Sequence, residues 1–564
     1  MKPRDPACRR APRSRKEKQN VRGGDILIEC LKAQGVTAVF GMPGTQNIQI
    51  YDALLRRGAG QIDHYLVRHE YAATQMADGF ARSTGEVGVA ITVPGPGASN
   101  ASTGILEAFT DRSPVLLITG QSHTELYSKS PDKMFHGLDQ MRFFESFTKY
   151  CAIAHTVAEI PSVVENAFKA MRTGRPGPTV LEFPMDVVTG EGDVRIPPRV
   201  ERPVGDYPDD ASLRDAVETI RKAKRPLIFA GSAVFHANAQ NELRLLAEKL
   251  NAPVIVTRCA KGVLPEDHPL ALQICYGYLG KQALQHTDCL IGIGPRFTSI
   301  DTRSWSLQLP QPFIQIDEDA NEIGREYPCD FGVVGDLRLT LQALIEDVAR
   351  GEDNWDAVLT PLRTEFNAQP SLPIIHELQD VLPRETIYAI DVHALGYASF
   401  AEFPIYEPRT FLYPNIGVAL GHAFPAALGA KIAHPNRPVI CFSGDGGFLM
   451  GAVEMATAMK YGINVVSIVI NDGALSAIKG SQLKGCEGRT IDTDLQNPDF
   501  VQLAAAFGAY ARKVENVADF KPTLRDALAA EKPALIEVMM QDKQAEIIGS
   551  IGWLQGDGLR KSTW

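Results

Sequence analysis

Short runs of consecutive apolar residues alternate along this chain with longer segments whose apolar residues recur at helical spacing. The apolar runs in the first third of the chain are TAVFGM (37–42), IDHYLV (62–67), VGVAITV (87–93), PVLLIT (114–119) and PTVLEF (178–183). Continuous apolar strands are typical of a parallel sheet that helices cover on both faces, whereas a strand with one wet face alternates. The pattern therefore predicts a doubly wound α/β domain.

The same alternation occurs in two further parts of the chain. The second part contains RPLIFAG, NAPVIVTR, TDCLIGIG and QPFIQID, and the third contains ETIYAIDV, RPVICFSGDGG, INVVSIVIND and PALIEVMM. A segment rich in proline and charge, IPPRVERPVGDYPDD (196–210), separates the first two parts and has the composition of a linker. We therefore predict three doubly wound α/β domains with mainly parallel sheets, at residues 23–195, 208–348 and 372–545, followed by a C-terminal tail at 546–564.

The first residues of the chain differ from the rest in composition. Residues 1–22 are rich in arginine and lysine and contain no apolar core, which argues against a secretory signal and predicts a disordered basic extension, with a targeting arm as the alternative. The nine cysteines are odd in number and form no Cys-x-x-Cys pair. Such a pattern is typical of free thiols in a reducing cytoplasm, which is where we expect the protein.

Composition and charge narrow the class of partner. Hydrophobic residues make up 45% and charged residues 22% of the 564 residues, as in a globular enzyme. No apolar run approaches the roughly 20 residues that a membrane helix needs, so we predict no membrane span. The formal net charge of -10 argues against nucleic acid, because a phosphate backbone attracts basic surfaces. A small-molecule substrate is the expected partner.

The stretch FSGDGGF (442–448) places a single carboxylate, Asp445, among glycines directly after an apolar run. A tight turn would explain Asp-Gly taken alone, since this pair is common where the backbone needs positive φ. The next run, NVVSIVI, ends in Asn471-Asp472-Gly473, and the helix-like segment GGFLMGAVEMATAMKYG lies between the two runs. A strand, helix, strand unit brings these two strand ends side by side, at the edge where α/β sheets bind ligands.

Oxygen atoms at these two strand ends suit a hard cation. We expect the Asp445 carboxylate, the Asn471 amide oxygen and the Gly473 carbonyl to converge on Mg²⁺, which prefers oxygen ligands. Glycines beside Asp445 would let backbone amides approach a diphosphate at the positive end of the following helix. These glycines are Gly444, Gly446 and Gly447. Between Gly446 and Asn471 lie 24 residues, and Gly-Asp-Gly followed at that distance by Asn is the thiamine diphosphate motif.

Further motifs strengthen this interpretation. They are VFGMPG (39–44), RHEYAA (68–73), VPGPGASN (93–100), ITGQ (118–121), IDEDANEIGR (316–325) and GVALGHAFPAALGA (417–430). From about Gly23 to Met540, the chain resembles the thiamine diphosphate enzymes of the acetolactate synthase type. The resemblance implies a pyrimidine-binding domain, a central domain and a diphosphate-binding domain, in that order, with thiamine diphosphate and Mg²⁺ as cofactors.

The resemblance assigns roles to residues of the first domain. Glu70 of RHEYAA occupies the position of the glutamate that hydrogen-bonds the aminopyrimidine ring and drives it to the imino tautomer, which takes the thiazolium proton. A first-turn glutamate stabilised by the helix dipole is the structural alternative. Gln121 and His136 are expected to face the substrate. Other residues in the matched motifs, expected to bind cofactor, are Pro43, Gly44 and Asn100.

In the third domain, Leu420 matches the bulky apolar residue that wedges the two cofactor rings into a V, although a leucine in this pattern is ordinarily core. His393 follows the strand that ends in Asp391 and is expected to touch the diphosphate. The resemblance also implies an active site between two subunits of a homodimer or homotetramer. Glu70 would come from one subunit and Asp445 from the other.

Three stretches depart from the family pattern. His136, within MFHGLDQM, lies where acetolactate synthases carry a glutamine, and a histidine there is either a proton relay or a plain loop residue. Ser481 falls where they carry a tryptophan that helps to select the second keto acid, so the pocket volume differs. Relatives often hold FAD or ADP in the central domain. Here GIGPRF (292–297) retains Gly-x-Gly but AGSAVFHANAQ (230–240) lacks the expected glycines, so FAD or ADP stays open.

We therefore predict a thiamine diphosphate- and Mg²⁺-dependent transferase or lyase that catalyses decarboxylation or carboligation of a 2-oxo acid. One alternative is a lyase like the 2-hydroxyacyl-CoA lyases and oxalyl-CoA decarboxylases. A second is a flavin-dependent 2-oxo acid oxidase. A catalytically silent relative is disfavoured, because Glu70, Asp445 and Asn471 are intact.

Overall fold

The computed structural model describes residues 21–351, 354–368 and 373–543, in which three six-stranded sheets follow one another along the chain. Every strand pairing within these three sheets is parallel. The predicted fold class, three doubly wound α/β domains, is confirmed. The predicted tail and residues 1–20 of the predicted extension lie outside the described residues.

The first sheet contains all five of the apolar runs predicted for it, together with an additional edge strand. Its strands, in order across the sheet, are Asp63–Leu66, Ala38–Gly41, Gly88–Thr92, Val115–Gln121, Thr179–Pro184 and Tyr150–Ile153. Its α-helices are Gly23–Ala33, Ile48–Ala53, Glu70–Thr84, Pro96–Asp111, Gln140–Phe144, Ile160–Arg172 and Met185–Thr189. A short antiparallel pair joins Val21–Arg22 to Glu191–Gly192. Val21 and Arg22, which the sequence assigned to the extension, therefore belong to the fold.

The second sheet forms the central part of the chain. Its strands, in order across the sheet, are Ala271–Ile274, Val254–Val256, Pro226–Ala230, Cys289–Ile293, Phe313–Asp317 and Phe331–Val334. Its α-helices are Asp210–Lys222, Ala233–His236, Gln240–Leu250, Tyr278–His286 and Leu337–Asp347. The four inner strands are buried at every position, as their continuous apolar sequences predict.

The third sheet carries the Gly-Asp-Gly turn at the carboxyl end of one of its inner strands. Its strands, in order across the sheet, are Phe411–Leu412, Ile387–Ile390, Val439–Gly444, Val466–Asn471, Ala534–Met539 and Tyr510–Val514. The α-helices after the central domain are Asp356–Asn367, Pro373–Val381, Ala394–Glu402, Ala423–Ala433, Asp445–Gly451, Met455–Tyr461, Ser476–Gly485, Phe500–Phe507 and Phe520–Ala529. Strands Val439–Gly444 and Val466–Asn471 are neighbours, so their ends lie side by side as predicted.

The segment after Gly-Asp-Gly is not the single helix that the sequence predicts. The helix Asp445–Gly451 gives way to a 3₁₀ turn at Ala452–Glu454 before the helix Met455–Tyr461 begins. Gly451 favours this interruption because glycine is a poor helix former. At the interruption, the Glu454 carboxylate accepts hydrogen bonds from the backbone amides of Arg68 and His69, at 2.9 and 3.1 Å, and so joins the third domain to the first.

The first and third domains also pack through two helices that approach closely. A Cβ atom on Gly79 would lie 2.1 Å from the carbonyl oxygen of Ala426, and one on Gly429 would lie 1.9 Å from that of Met76. Only glycine permits such an approach of the two backbones. This contact fixes the position of the helix Glu70–Thr84, and hence of Glu70, against the third domain. Among the described residues, no helix is long and apolar enough to cross a membrane.

Candidate active site

A cavity of about 300 Å³ opens at the carboxyl ends of the inner strands of the third sheet. Predicted site residues that line it are His393, Leu420, Gly444, Asp445, Gly446 and Gly447. The helix Ser476–Gly485 closes one side through Ser476, Ala477 and Ile478. The structure therefore brings six predicted residues together around one cavity, and the other two predicted residues of the third domain, Asn471 and Gly473, do not line it.

Asp445 is the buried acidic group at the edge of this cavity, with 2% of its surface exposed. One carboxylate oxygen accepts a hydrogen bond from the amide of Gly446 at 2.8 Å, and the other accepts one from the amide of Gly473 at 2.9 Å. Burial, together with the neighbouring Asp472, raises the pKa of Asp445 to about 6. A cation at this position would stabilise the charged carboxylate that burial disfavours.

Asn497 forms hydrogen bonds with both predicted side-chain ligands, Asp445 and Asn471. The sequence did not predict it as a site residue. Its amide nitrogen donates to Asp445 Oδ2 at 2.7 Å and to Asn471 Oδ1 at 3.1 Å. Asn471 in turn donates to Glu537 Oε1 at 2.8 Å, which fixes the orientation of its amide. Because both acceptor oxygens contact one nitrogen, they lie close to each other.

The predicted ligands at this position do not form a cluster of acidic, histidine or cysteine side chains. Among the described residues, no group of three such side chains is arranged to hold a metal ion. The predicted set instead combines one carboxylate, one amide oxygen and the backbone carbonyl of Gly473. Oxygen ligands of this kind suit Mg²⁺ when phosphate and water complete the shell.

The glycines of the turn leave space that any side chain would fill. A Cβ atom on Gly447 would lie 3.1 Å from Leu420 Cδ1, and one on Gly446 would lie 2.9 Å from Leu475 Cδ2. His393 lines the same cavity, and its Nε2 atom has no hydrogen-bond partner among the described residues. Burial lowers the pKa of His393 to about 3, so the ring is neutral. The ring donates its one N–H to the carbonyl of Phe442, so Nε2 is an acceptor, and it is the bare backbone that fits a diphosphate group.

Leu420 lies on a loop that three side chains hold in place. Asp391 accepts hydrogen bonds from the backbone amides of Gly421 and Ala423, which follow the leucine, at 3.1 and 3.2 Å. Glu107 of the first domain accepts another at 3.1 Å, and the Tyr71 hydroxyl donates to the carbonyl of Leu420 itself at 3.0 Å. The loop is therefore anchored from two domains, which leaves the leucine side chain to form the wall of the cavity.

Glu70 lies in the first domain, away from the cavity of the third domain. It begins the helix Glu70–Thr84 and accepts a hydrogen bond from the Asn100 amide at 3.1 Å. Gly97 approaches the same carboxylate, because a Cβ atom there would lie 3.3 Å from Glu70 Oε1. Glu70 is half-buried and does not line the cavity that contains Asp445. Glu70 and Asn100 are both predicted to bind the cofactor, and in the structure a hydrogen bond joins their side chains.

Three family models of thiamine pyrophosphate enzymes match the chain: the N-terminal TPP binding domain at residues 21–143, the central domain at 213–344 and the C-terminal TPP binding domain at 394–538. The probable acetolactate synthase large subunit of Methanocaldococcus jannaschii is 35% identical, with 93% of both chains covered. The acetolactate synthase of Arthrospira platensis is 32% identical over 92% of this chain and 94% of that protein. The large subunit from Haemophilus influenzae is 30% identical over 93% and 95%.

The chain belongs to the acetolactate synthase family of thiamine pyrophosphate enzymes. This membership confirms the predicted class, a thiamine diphosphate-dependent enzyme that makes carbon–carbon bonds. The alternatives, a thioester lyase and a flavin-dependent oxidase, are not favoured, because the relatives named here are all acetolactate synthases.

Other predicted residues lie at the carboxyl ends of the first sheet. Gly44 follows Pro43 and donates its amide hydrogen to Asn47 Oδ1 at 2.7 Å. Gln121 is buried at the end of its strand and lines a different cavity, of about 360 Å³, together with Glu182. Within one chain, these residues do not line the cavity of Asp445.

Two of the three departures from the family pattern, at His136 and Ser481, have distinct local structures. His136 has a left-handed backbone, with φ of 55°, and its ring stacks on Phe135 and lies 3.0 Å from Gln46 Oε1. Ser481 is exposed and donates its hydroxyl hydrogen to the carbonyl of Ala477 on its own helix, at 3.0 Å. No large side chain therefore stands at position 481, where the family pattern has a tryptophan.

Proposed function

We propose that this chain catalyses the Mg²⁺-dependent carboligation of a 2-oxo acid, with thiamine diphosphate bound in the cavity beside Asp445. The observation that carries the proposal is the pair of buried oxygens, on Asp445 and Asn471, oriented by one amide at the edge of a glycine-lined cavity. The names of the relatives support the reaction class, since each is an acetolactate synthase over nearly the whole chain. Thiamine diphosphate supplies the carbon nucleophile and the electron sink for bond formation next to a carbonyl.

Each side chain around the cavity then has a defined task. Asp445, Asn471 and the carbonyl of Gly473 would hold Mg²⁺ and, through it, the diphosphate. Nearby backbone amides would donate hydrogen bonds to the remaining phosphate oxygens, and the neutral His393 ring would lie beside the diphosphate. Leu420 would support the cofactor rings from below, because its loop is anchored from two domains. Together these contacts orient the cofactor and exclude water from one of its faces.

Glu70 would bind the aminopyrimidine ring and move a proton there, with Asn100 holding its carboxylate in position. Its absence from the lining of the Asp445 cavity supports a homodimer or homotetramer in which a second copy provides Glu70. Exposed apolar residues beside the cavity support such an interface, since Met450 is 58% and Val453 48% exposed. Replacing Glu70 by Gln should abolish turnover and leave cofactor binding measurable.

A mixed oligomer tests this shared site directly. Glu70→Gln and Asp445→Asn chains, each inactive alone, are co-expressed with different tags and purified as the mixed species. Activity should return, because one site in each mixed pair then contains both native residues. A mixed oligomer as inactive as its parents would place both residues in the same chain's site.

Binding of FAD or ADP to the central domain is tested separately from the reaction. Carboligation of 2-oxo acids is redox-neutral, so a bound flavin would have a structural role in the proposed reaction. Flavin absorbance of the purified protein tests whether FAD is bound, and mass spectrometry of released nucleotide tests whether ADP is bound.

We also propose a cytoplasmic location, which the free thiols of the described cysteines support.

The reaction is tested by supplying pyruvate, thiamine diphosphate and Mg²⁺ to the pure protein and following CO₂ and the coupled product. Parallel samples receive a 2-hydroxyacyl or oxalyl thioester, and an oxygen electrode follows each sample. The proposal predicts CO₂ release and an acetohydroxy acid from 2-oxo acids. Turnover of thioesters alone, or oxygen consumption matched to substrate, would replace it with one of the alternatives.

A further inference from the structure

The loop between the strand Phe411–Leu412 and the helix Ala423–Ala433 presents two side chains to the cavity beside Asp445. These are Val418 and Leu420, which both line that cavity. Val418 has a left-handed backbone, with φ of 53°. A β-branched residue rarely adopts this conformation, which costs free energy and persists only where neighbouring groups hold it. Specific contacts close to Val418 must therefore hold the loop.

Glu107, on the helix Pro96–Asp111 of the first domain, provides such a contact. It is buried, and its Oε2 atom accepts a hydrogen bond at 3.1 Å from the backbone amide of Ala419. Ala419 is the residue between Val418 and Leu420. The same oxygen lies against Gly417 on the other side of Val418, because a Cβ atom on Gly417 would clash with it. Glu107 therefore contacts the loop on both sides of the strained residue.

Two other carboxylates hold the ends of the loop. Asp111, about one turn after Glu107 on the same helix, accepts hydrogen bonds from the amides of Asn415 and Ile416 at 2.9 and 3.0 Å. Asp391 holds the far end through two further backbone amides. Glu107 is thus the carboxylate that acts on the middle of the loop, where the two cavity residues lie.

Arg82 keeps the Glu107 side chain in place. Its guanidinium lies 3.6 Å from Glu107 Oε1 and 2.6 Å from both Asp78 and Asp111. Burial, followed by Asp111, raises the pKa of Glu107 well above its ordinary value. A carboxyl group accepts the Ala419 hydrogen bond through one oxygen whether or not it carries a proton. Glutamine has an equivalent amide oxygen, so it should keep this contact.

The helix that carries Glu107 also holds Glu70. Asn100 lies about two helical turns before Glu107 and therefore on the same face of the helix. Its amide donates to the Glu70 carboxylate at 3.1 Å. One helix of the first domain therefore connects the carboxylate proposed to move a proton with the loop that carries Leu420.

We propose that Glu107 is a positioning residue that holds Val418 in its left-handed conformation and thereby directs Leu420 into the cavity. This inference rests on the proposed function, in which Leu420 supports the rings of thiamine diphosphate from below. Glu107 does not itself line the cavity, so it acts through the loop. Its loss should therefore change how the rings are held and leave the diphosphate and metal contacts near Asp445 in place.

The rate at which bound thiamine diphosphate exchanges its thiazolium proton for deuterium reports how its rings are held, and this measurement needs no substrate. NMR after an acid quench follows the exchange, and calorimetry with Mg²⁺ measures coenzyme affinity. In Glu107→Ala the exchange rate should fall at least about tenfold, because a misplacement of about 1 Å costs up to about 100-fold in rate. Coenzyme affinity should stay close to that of the wild type.

Two matched variants accompany this measurement. Glu107→Gln keeps an acceptor for the Ala419 amide and should exchange at close to the wild-type rate. Glu165→Ala removes an exposed glutamate from the helix Ile160–Arg172 of the same domain and should behave as the wild type does. Melting temperatures report whether any variant has lost structure.

Val418→Gly provides a second test, because glycine adopts positive φ without steric cost. Added to Glu107→Ala, it should restore part of the lost exchange rate, which a variant with general structural damage would not regain. Gly417→Ala displaces the same carboxylate from the loop side and should also slow the exchange. It gives the reading should Glu107→Ala not fold.

Three results would overturn the positioning role. An exchange rate in folded Glu107→Ala within about twofold of the Glu165→Ala control would do so and leave the proposed function intact. Failure of Val418→Gly to restore any exchange would show that the strained conformation is not what Glu107 controls. A wild type that binds no coenzyme would refute the proposed function, and this inference with it.

Discussion

Replacing Asn497 by Ala tests the architecture of the proposed metal site, because this residue touches both predicted side-chain ligands and is not a ligand itself. The change removes the hydrogen bonds of 2.7 Å to Asp445 and 3.1 Å to Asn471. A hydrogen bond to a charged group contributes about 1.5–3 kcal/mol, and losing a residue that orients a metal ligand typically weakens metal affinity about 10- to 100-fold. We therefore expect Mn²⁺, as a Mg²⁺ substitute, to bind about 10- to 100-fold more weakly.

The assay is calorimetric titration of Mn²⁺ in the presence of thiamine diphosphate, with turnover measured separately. Gln496→Ala is the matched control, since Gln496 is the exposed neighbour of Asn497 in the same segment. Melting temperatures without metal report whether either variant has lost structure. A folded Asn497→Ala protein whose metal affinity stays within about twofold of the control would refute the positioning role.

Three further changes test other parts of the account. Gly447→Ala places a methyl group 3.1 Å from Leu420 Cδ1 and should weaken thiamine diphosphate binding at least about tenfold in calorimetry, so unchanged affinity would remove this turn from the site. Tyr71→Phe leaves a backbone carbonyl unpaired and should lower the free energy of unfolding by about 1–3 kcal/mol in urea titration, whereas no loss would mean that the loop is held otherwise. Burial raises the pKa of Asp317 to about 6, so its contribution to stability is present at low pH and lost as pH rises through about 6. The stability of the wild type relative to Asp317→Asn should therefore fall between about pH 4 and about pH 6, and a pH-independent difference would contradict the shift.

The inner strands could be predicted from sequence because both of their faces are buried and their residues are continuously apolar. Most edge strands were not predicted, since one side of each is exposed, whereas Asp63–Leu66 is an edge strand that its apolar sequence did predict. Tyr510–Val514 is an example, because Arg512 and Lys513 interrupt its apolar pattern. The helical spacing of apolar residues also gave a wrong prediction at Ala452–Glu454. The sequence predicts one helix there, but the structure has a 3₁₀ turn from which Glu454 contacts the first domain.

The candidate site was predictable where a motif fixes the spacing, as for Asp445 and Asn471. Asn497 was not, because it reaches the site from an irregular segment and no local pattern marks it. Glu537 did leave a signal, since it is the charged residue within the otherwise apolar strand Ala534–Met539. A buried charge in an inner strand needs partners, and here they are the amide of Asn471 and the Lys513 ammonium, which lies 3.5 Å from Glu537 Oε2.

The central claim is that the cavity beside Asp445 binds thiamine diphosphate through a divalent cation. Calorimetric titration of the coenzyme into the purified protein, with Mg²⁺ and then with EDTA in its place, tests this claim most directly. The account predicts saturable binding of one coenzyme per chain with Mg²⁺ and loss of that binding with EDTA. Absence of binding with Mg²⁺, or binding that persists unchanged in EDTA, would contradict it.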